Sequence, residues 1–62
     1  MNPFEFADFL YQTESSYEKH CALYHSCMRH NDRDGELYHR GRADSLEQVL
    51  DFLRSCVDAA EA

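Results

Sequence analysis

The chain has 62 residues, 44% of them apolar and 29% charged, with a net charge of −6. That length allows one small domain, and ordering it costs about 90 kcal/mol of conformational entropy at roughly 1.5 kcal/mol per residue, which a core this small barely offsets. An added staple is therefore expected: a second copy, a metal or a partner. Residues 1–18 carry four acids and no base. Residues 19–42 carry five bases, three acids and all four histidines, and residues 43–62 carry five acids and only Arg54.

Helix one is predicted from about 3 to 30. Asn2 can cap it, Pro3 suits the first helical position, and Glu5 can return a bond to the cap. Phe6, Leu10, Tyr17, Cys21, Tyr24 and Met28 then recur along one stripe, with Ala7 and Cys27 flanking. The break is His30-Asn31-Asp32-Arg33-Asp34-Gly35, placing a turn at 31–35, where Gly35 permits positive φ and Asp32 or Asp34 can cap the next helix. Helix two is predicted from about 35 to 59. Ala43, Leu46, Leu50, Leu53, Val57 and Ala60 alternate in steps of three and four, a heptad seam. Tyr38, Val49, Phe52 and Cys56 form a second stripe. Gly41 costs roughly 1 kcal/mol inside a helix and is expected to receive a close approach from Tyr24 or Met28.

The expected fold is all-α, an antiparallel two-helix hairpin. Tyr24 should lie near Arg42 and Ala43, Tyr17 near Leu46 and Leu50, and Leu10 near Leu53 and Val57. Phe4, Phe9, Tyr11, Val49 and Phe52 fall off the seam and imply a second interface. A homodimer forming a four-helix bundle is expected. The charge map favours an antiparallel dimer, basic loop half against acidic open half. The expected dimer or partner interface is Phe6, Phe9, Leu10, Tyr17, Val49, Phe52, Leu53 and Cys56.

Functional candidates cluster near the loop. Tyr38, His39, Arg40 and Arg42, with Tyr24 and Arg29, mix aromatic and guanidinium groups suited to a protein interface or to stacking on bases. They are the expected partner-binding residues. His25 belongs to the same region, and four histidines there could charge that half below neutral pH. Cys21/His25 and Cys27/His30 share helix faces, but no Cys-x-x-Cys is present, so buried thiols and solvated imidazoles are expected in place of a metal site. Arg33 and His39 are six apart, a spacing similar to that of helical ribonuclease toxins, yet nothing supplies an orienting third group, so no catalytic residue is expected. Glu14 and Glu18 on helix one, and Glu47, Asp51 and Asp58 on helix two, could mimic a phosphate track. Solvated faces are the plain reading of the same residues. Three cysteines suggest a reduced, cytoplasmic chain, no 18-residue apolar run is present, and no signal peptide or cofactor is expected.

The run Tyr38-His39-Arg40-Gly41-Arg42-Ala43-Asp44-Ser45-Leu46 resembles a segment of small helical proteins encoded by bacteriophages. That resemblance implies a non-enzymatic protein that binds and inhibits a host protein, including antiviral defence components. The architecture, with its heptads and Ser55-Cys56 pair, resembles the plasmid-encoded Rop family. That likeness implies the alternative of a nucleotide- or RNA-binding bundle. The base-free first 18 residues depart from the basic helix one that such RNA binding uses.

Overall fold

The computed structural model describes residues 2–61 and consists of two helices, α1 (Pro3–Arg29) and α2 (Arg33–Glu61), packed side by side in an all-helical hairpin about 45 Å long. The start of α1 follows the expected capping chemistry. The Asn2 side chain accepts from the Glu5 amide at 2.8 Å and donates back to the Glu5 carboxylate at 3.2 Å. One amide that lacks a helical partner is thereby satisfied, and the carboxylate is held in the first turn, where the helix dipole favours it.

The turn is tighter than expected, and Gly35 is not its pivot. Asn31 takes the left-handed conformation, with φ of 57°. Its amide bonds the Met28 carbonyl at 3.3 Å, and the Asp32 amide bonds the Cys27 carbonyl at 2.9 Å. This is a Schellman closure with asparagine in the position glycine usually takes. Asp32 then caps α2, accepting from the Gly35 amide at 3.0 Å, so α2 starts two residues before the predicted position. Asp34 sits in the first turn and is not the cap.

The two glycines serve differently from expectation. A methyl group on Gly35 would lie 2.5 Å from the Asp32 carboxylate and 2.8 Å from the Cys27 sulfur, so glycine lets the cap close. A methyl group on Gly41 would meet nothing within 4 Å. The expected approach of Tyr24 or Met28 to Gly41 is absent. Gly41→Ala should therefore stabilise the hairpin by about 0.5–1 kcal/mol through helix propensity alone. Gly35→Ala should lose more than that gain, by displacing a cap worth up to about 2 kcal/mol. Urea titrations of the two variants should move in opposite directions, and a shared direction would contradict this reading of the turn.

The interhelical seam runs through Phe6, Leu10, Thr13, Tyr17, His20, Tyr24 and Cys27 on α1. It meets Glu36, His39, Ala43, Leu46, Leu50, Leu53 and Val57 on α2, and all fourteen are at least half-buried. Both series alternate in steps of three and four, as knobs of a two-helix seam require. Two polar residues that apolar patterning passes over, Thr13 and His20, hold seam positions. Thr13 is buried and donates its hydroxyl to the Phe9 carbonyl at 2.8 Å. Met28, expected on the stripe, is exposed. Among the described residues only Thr13, Ala43, Leu50 and Leu53 are buried.

Candidate interaction surfaces

The seam divides the hairpin's surface into two flanks of opposite chemistry. On one flank a shallow groove of about 380 Å³ is lined by Tyr17, Cys21, Tyr24 and His25 from α1, and by Arg40, Ala43, Asp44 and Glu47 from α2. The Glu14–Arg54 ion pair, 3.7 Å apart, fixes the same side further toward the open end. Helical spacing extends this flank to Glu18, Asp51 and Asp58, and all three are exposed. Six carboxylates thus line one side in two tracks. The Cys21 thiol and then the Glu47 and Asp44 carboxylates hold the Tyr17 hydroxyl above its ordinary value.

On the opposite flank lie the positions just before the seam residues. These are Phe9, Ser16 and Leu23 on α1, and Arg42, Val49 and Cys56 on α2, with Tyr38, Ser45 and Phe52 one row further out. Across the helices, the Tyr38 ring stands edge-on to His20 at 6.3 Å. This contact shows that the outer row of α2 borders α1 on that side.

Between the flanks, His20 and His39 meet across the seam, Nδ1 to Nδ1 at 2.9 Å. One ring must donate and the other accept, so their tautomers are opposed. Burial lowers the pKa of His20, and His39, Arg42 and Lys19 lower it further. At the turn, burial and then the Asp32 carboxylate raise the Cys27 thiol. The thiol points at Asp32 from 3.8 Å.

These positions split the partner-binding set read from the sequence. Tyr24 and Arg40 share the acidic groove. Tyr38 and Arg42 are exposed on the opposite flank, His39 is in the seam, and Arg29 is exposed on the back of α1. The expected single cluster at the loop end is therefore several separate places. The reason is geometric: consecutive residues on a helix point about 100° apart. Of the expected interface residues, Phe6, Leu10, Tyr17 and Leu53 belong to the hairpin's own seam. Phe9, Val49, Phe52 and Cys56 are exposed on the acid-free flank. The second stripe was legible in the sequence, but its freedom from acid was missed, although the spacing of the acids carries it: between Phe9 and Ala59 no carboxylate falls on those rows.

The chemistry weighed from sequence spacing is also separated. Arg33 lines a shallow dish with Met28, Asn31 and Glu36, away from His39. His30 donates to the Ser26 carbonyl at 2.7 Å. Among the described residues no group of three or more His, Cys, Asp or Glu side chains is placed to hold a metal. Nor is any helix among them long and apolar enough to cross a membrane. No family model matches the chain, and no curated protein or solved structure matches it either.

Proposed function

We propose that this chain is a non-enzymatic interaction protein that pairs with itself into a four-helix bundle and captures a partner protein through its acidic flank. The observation that carries this reading is the division of the surface. Six carboxylates line one flank, around a groove with an aromatic floor, while the other flank is free of acid and exposes Phe9, Tyr38, Val49 and Phe52. An acidic track on a hairpin 45 Å long suits a partner whose own surface is basic, such as a groove that holds nucleic acid. Tyr24 and Tyr17 supply the aromatic anchors in that groove, and Arg40 supplies a guanidinium at its edge.

The resemblance of residues 38–46 to phage-encoded helical proteins makes a host protein the expected target, and inhibition by occupying its basic surface the expected outcome. Direct binding of nucleotides or RNA is the weaker reading. The bases are dispersed, with Lys19 and Arg42 on one flank, Arg40 and Arg54 on the other, and Arg29 and Arg33 near the turn, so no basic stripe tracks a phosphate backbone. Free thiols at Cys21, Cys27 and Cys56 fit work in the reducing cytoplasm of a host cell.

The test is retention of host-lysate proteins on the immobilised chain, followed by elution with salt or with added DNA. Wild type should retain a protein that DNA competes away. Glu47→Lys with Asp51→Lys should lose at least tenfold of that retention, because both charges leave one track. Retention that survives the double reversal, or no retained protein at all, would overturn the acidic flank as the contact surface.

A further inference from the structure

We infer that the acid-free flank is the hairpin's dimer interface, covered by a second copy of this chain running antiparallel, with Ser16 of each protomer on the two-fold axis. This rests on the self-association proposed above and names the surface, the occupant and the register.

The flank exposes four large apolar side chains beside Ser16, Lys19, Arg42 and Ser45. Phe9 is 44% exposed, Val49 39%, Tyr38 60% and Phe52 67%, and helical spacing places all four on the rows just before the seam. Exposed apolar side chains gathered on one flank mark a candidate contact surface. Charge distinguishes this side from the rest of the molecule. The chain has 12 acids, yet from Phe9 to Ala59 none lies on these rows, and the only fixed charges there are Lys19 and Arg42. A strongly acidic chain can appose two copies of itself only where its acids are missing. The acidic flank, with six carboxylates, cannot serve as that surface.

Size agrees. The hairpin is 45 Å long and 17 Å wide between Cα extremes. One face is therefore on the order of 750 Å² per copy, close to the roughly 800 Å² per partner of a stable interface.

The register follows from heights along the helices at about 1.5 Å per residue. Ser16 lies about 20 Å above the open end, which is mid-height, and Ser45 lies close by on α2. These two small residues allow close approach at the centre. In an antiparallel pair, Ser16 faces its own copy, Phe9 faces Leu23 of the other protomer, and Cys56 faces Tyr38. Phe52 lies under the Arg42 guanidinium, where the ring face attracts the cation. A parallel pair would instead bring Lys19 and Arg42 of both protomers together at one height, four cations with no acid between them. The antiparallel pair separates the two Arg42 side chains by about 15 Å along the axis.

Three variants test this by sedimentation equilibrium, with disulfide mapping by mass spectrometry after mild oxidation. Phe52→Glu places a carboxylate on the acid-free flank and should weaken dimerisation at least tenfold. Tyr11→Glu, at an equally exposed aromatic on the other flank, should leave it unchanged. Ser16→Cys should join the two protomers by a disulfide between the two introduced thiols. Wild type sedimenting as a monomer would overturn self-association itself. A dimer broken by Tyr11→Glu and not by Phe52→Glu would overturn the choice of flank. A dimer sensitive to Phe52→Glu, in which the Ser16→Cys thiols fail to bond each other, would overturn the antiparallel register.

Discussion

Leu50→Ala is expected to be among the most destabilising single substitutions in the hairpin, at about 2–5 kcal/mol. Leu50 is the most enclosed apolar residue described, 2% exposed, and is held between its seam neighbours Leu46 and Leu53. Truncating a buried leucine to alanine costs about 2–5 kcal/mol, from lost transfer energy and from the cavity left behind. A domain of this size has a total stability of about 3–9 kcal/mol at roughly 0.05–0.15 kcal/mol per residue. One side chain thus carries a large share of the margin. Leu37 is the comparison, being 53% exposed on the same helix. Leu37→Ala should stay within about 0.5 kcal/mol of wild type. Urea unfolding followed by circular dichroism measures both. Equal midpoints for the two variants would show that the seam does not hold the hairpin together.

Acidification is expected to melt the hairpin through the His20–His39 contact. The Nδ1–Nδ1 contact at 2.9 Å accommodates one shared proton, and a second would set two cations against each other. Lys19 and Arg42 add positive charge, and the Tyr38 ring offers no carboxylate to offset it. His20 is held below its ordinary value of 6.5, so the unfolded chain takes up that proton at a higher pH than the hairpin does. The contribution is therefore complete above about pH 6.5 and is lost progressively as pH falls below it. Carboxylates elsewhere also titrate on acidification, so the informative quantity is a difference between proteins. Between pH 7.5 and 5.0 the Tm of wild type should fall about 4 °C or more beyond that of a His20→Gln, His39→Gln double variant. Parallel Tm–pH curves for the two proteins would show that the histidine pair does not set the acid response.

Much of the fold was legible because its determinants are local. Asn2-Pro3 with Glu5 marks the start of α1, and the series from Leu46 to Val57 marks the face of α2 toward its partner helix. The details missed were those in which a polar residue does what an apolar or small one usually does. Asn31, not Gly35, takes the left-handed turn position, because an asparagine side chain tolerates that conformation. Thr13 and His20 occupy the seam because a threonine hydroxyl can be satisfied by its own helix and a histidine by another histidine. The candidate site was the least legible part. Tyr38, His39, Arg40 and Arg42 are neighbours in the chain, yet they face the apolar flank, the seam and the acidic groove. Reading the rows along each helix, and not the run of adjacent residues, separates Tyr38 and Arg42 from Tyr24 and Arg40.

The proposed function requires first of all that the hairpin be half of a larger core. Native mass spectrometry of freshly purified protein, beside a denaturing spectrum, tests that step ahead of any search for a partner. A single species at twice the 7.3 kDa chain mass is expected, with no added mass from metal or nucleotide. A folded, fully helical monomer at micromolar concentration would contradict it, because a lone hairpin with four buried residues among those described would then suffice as a core.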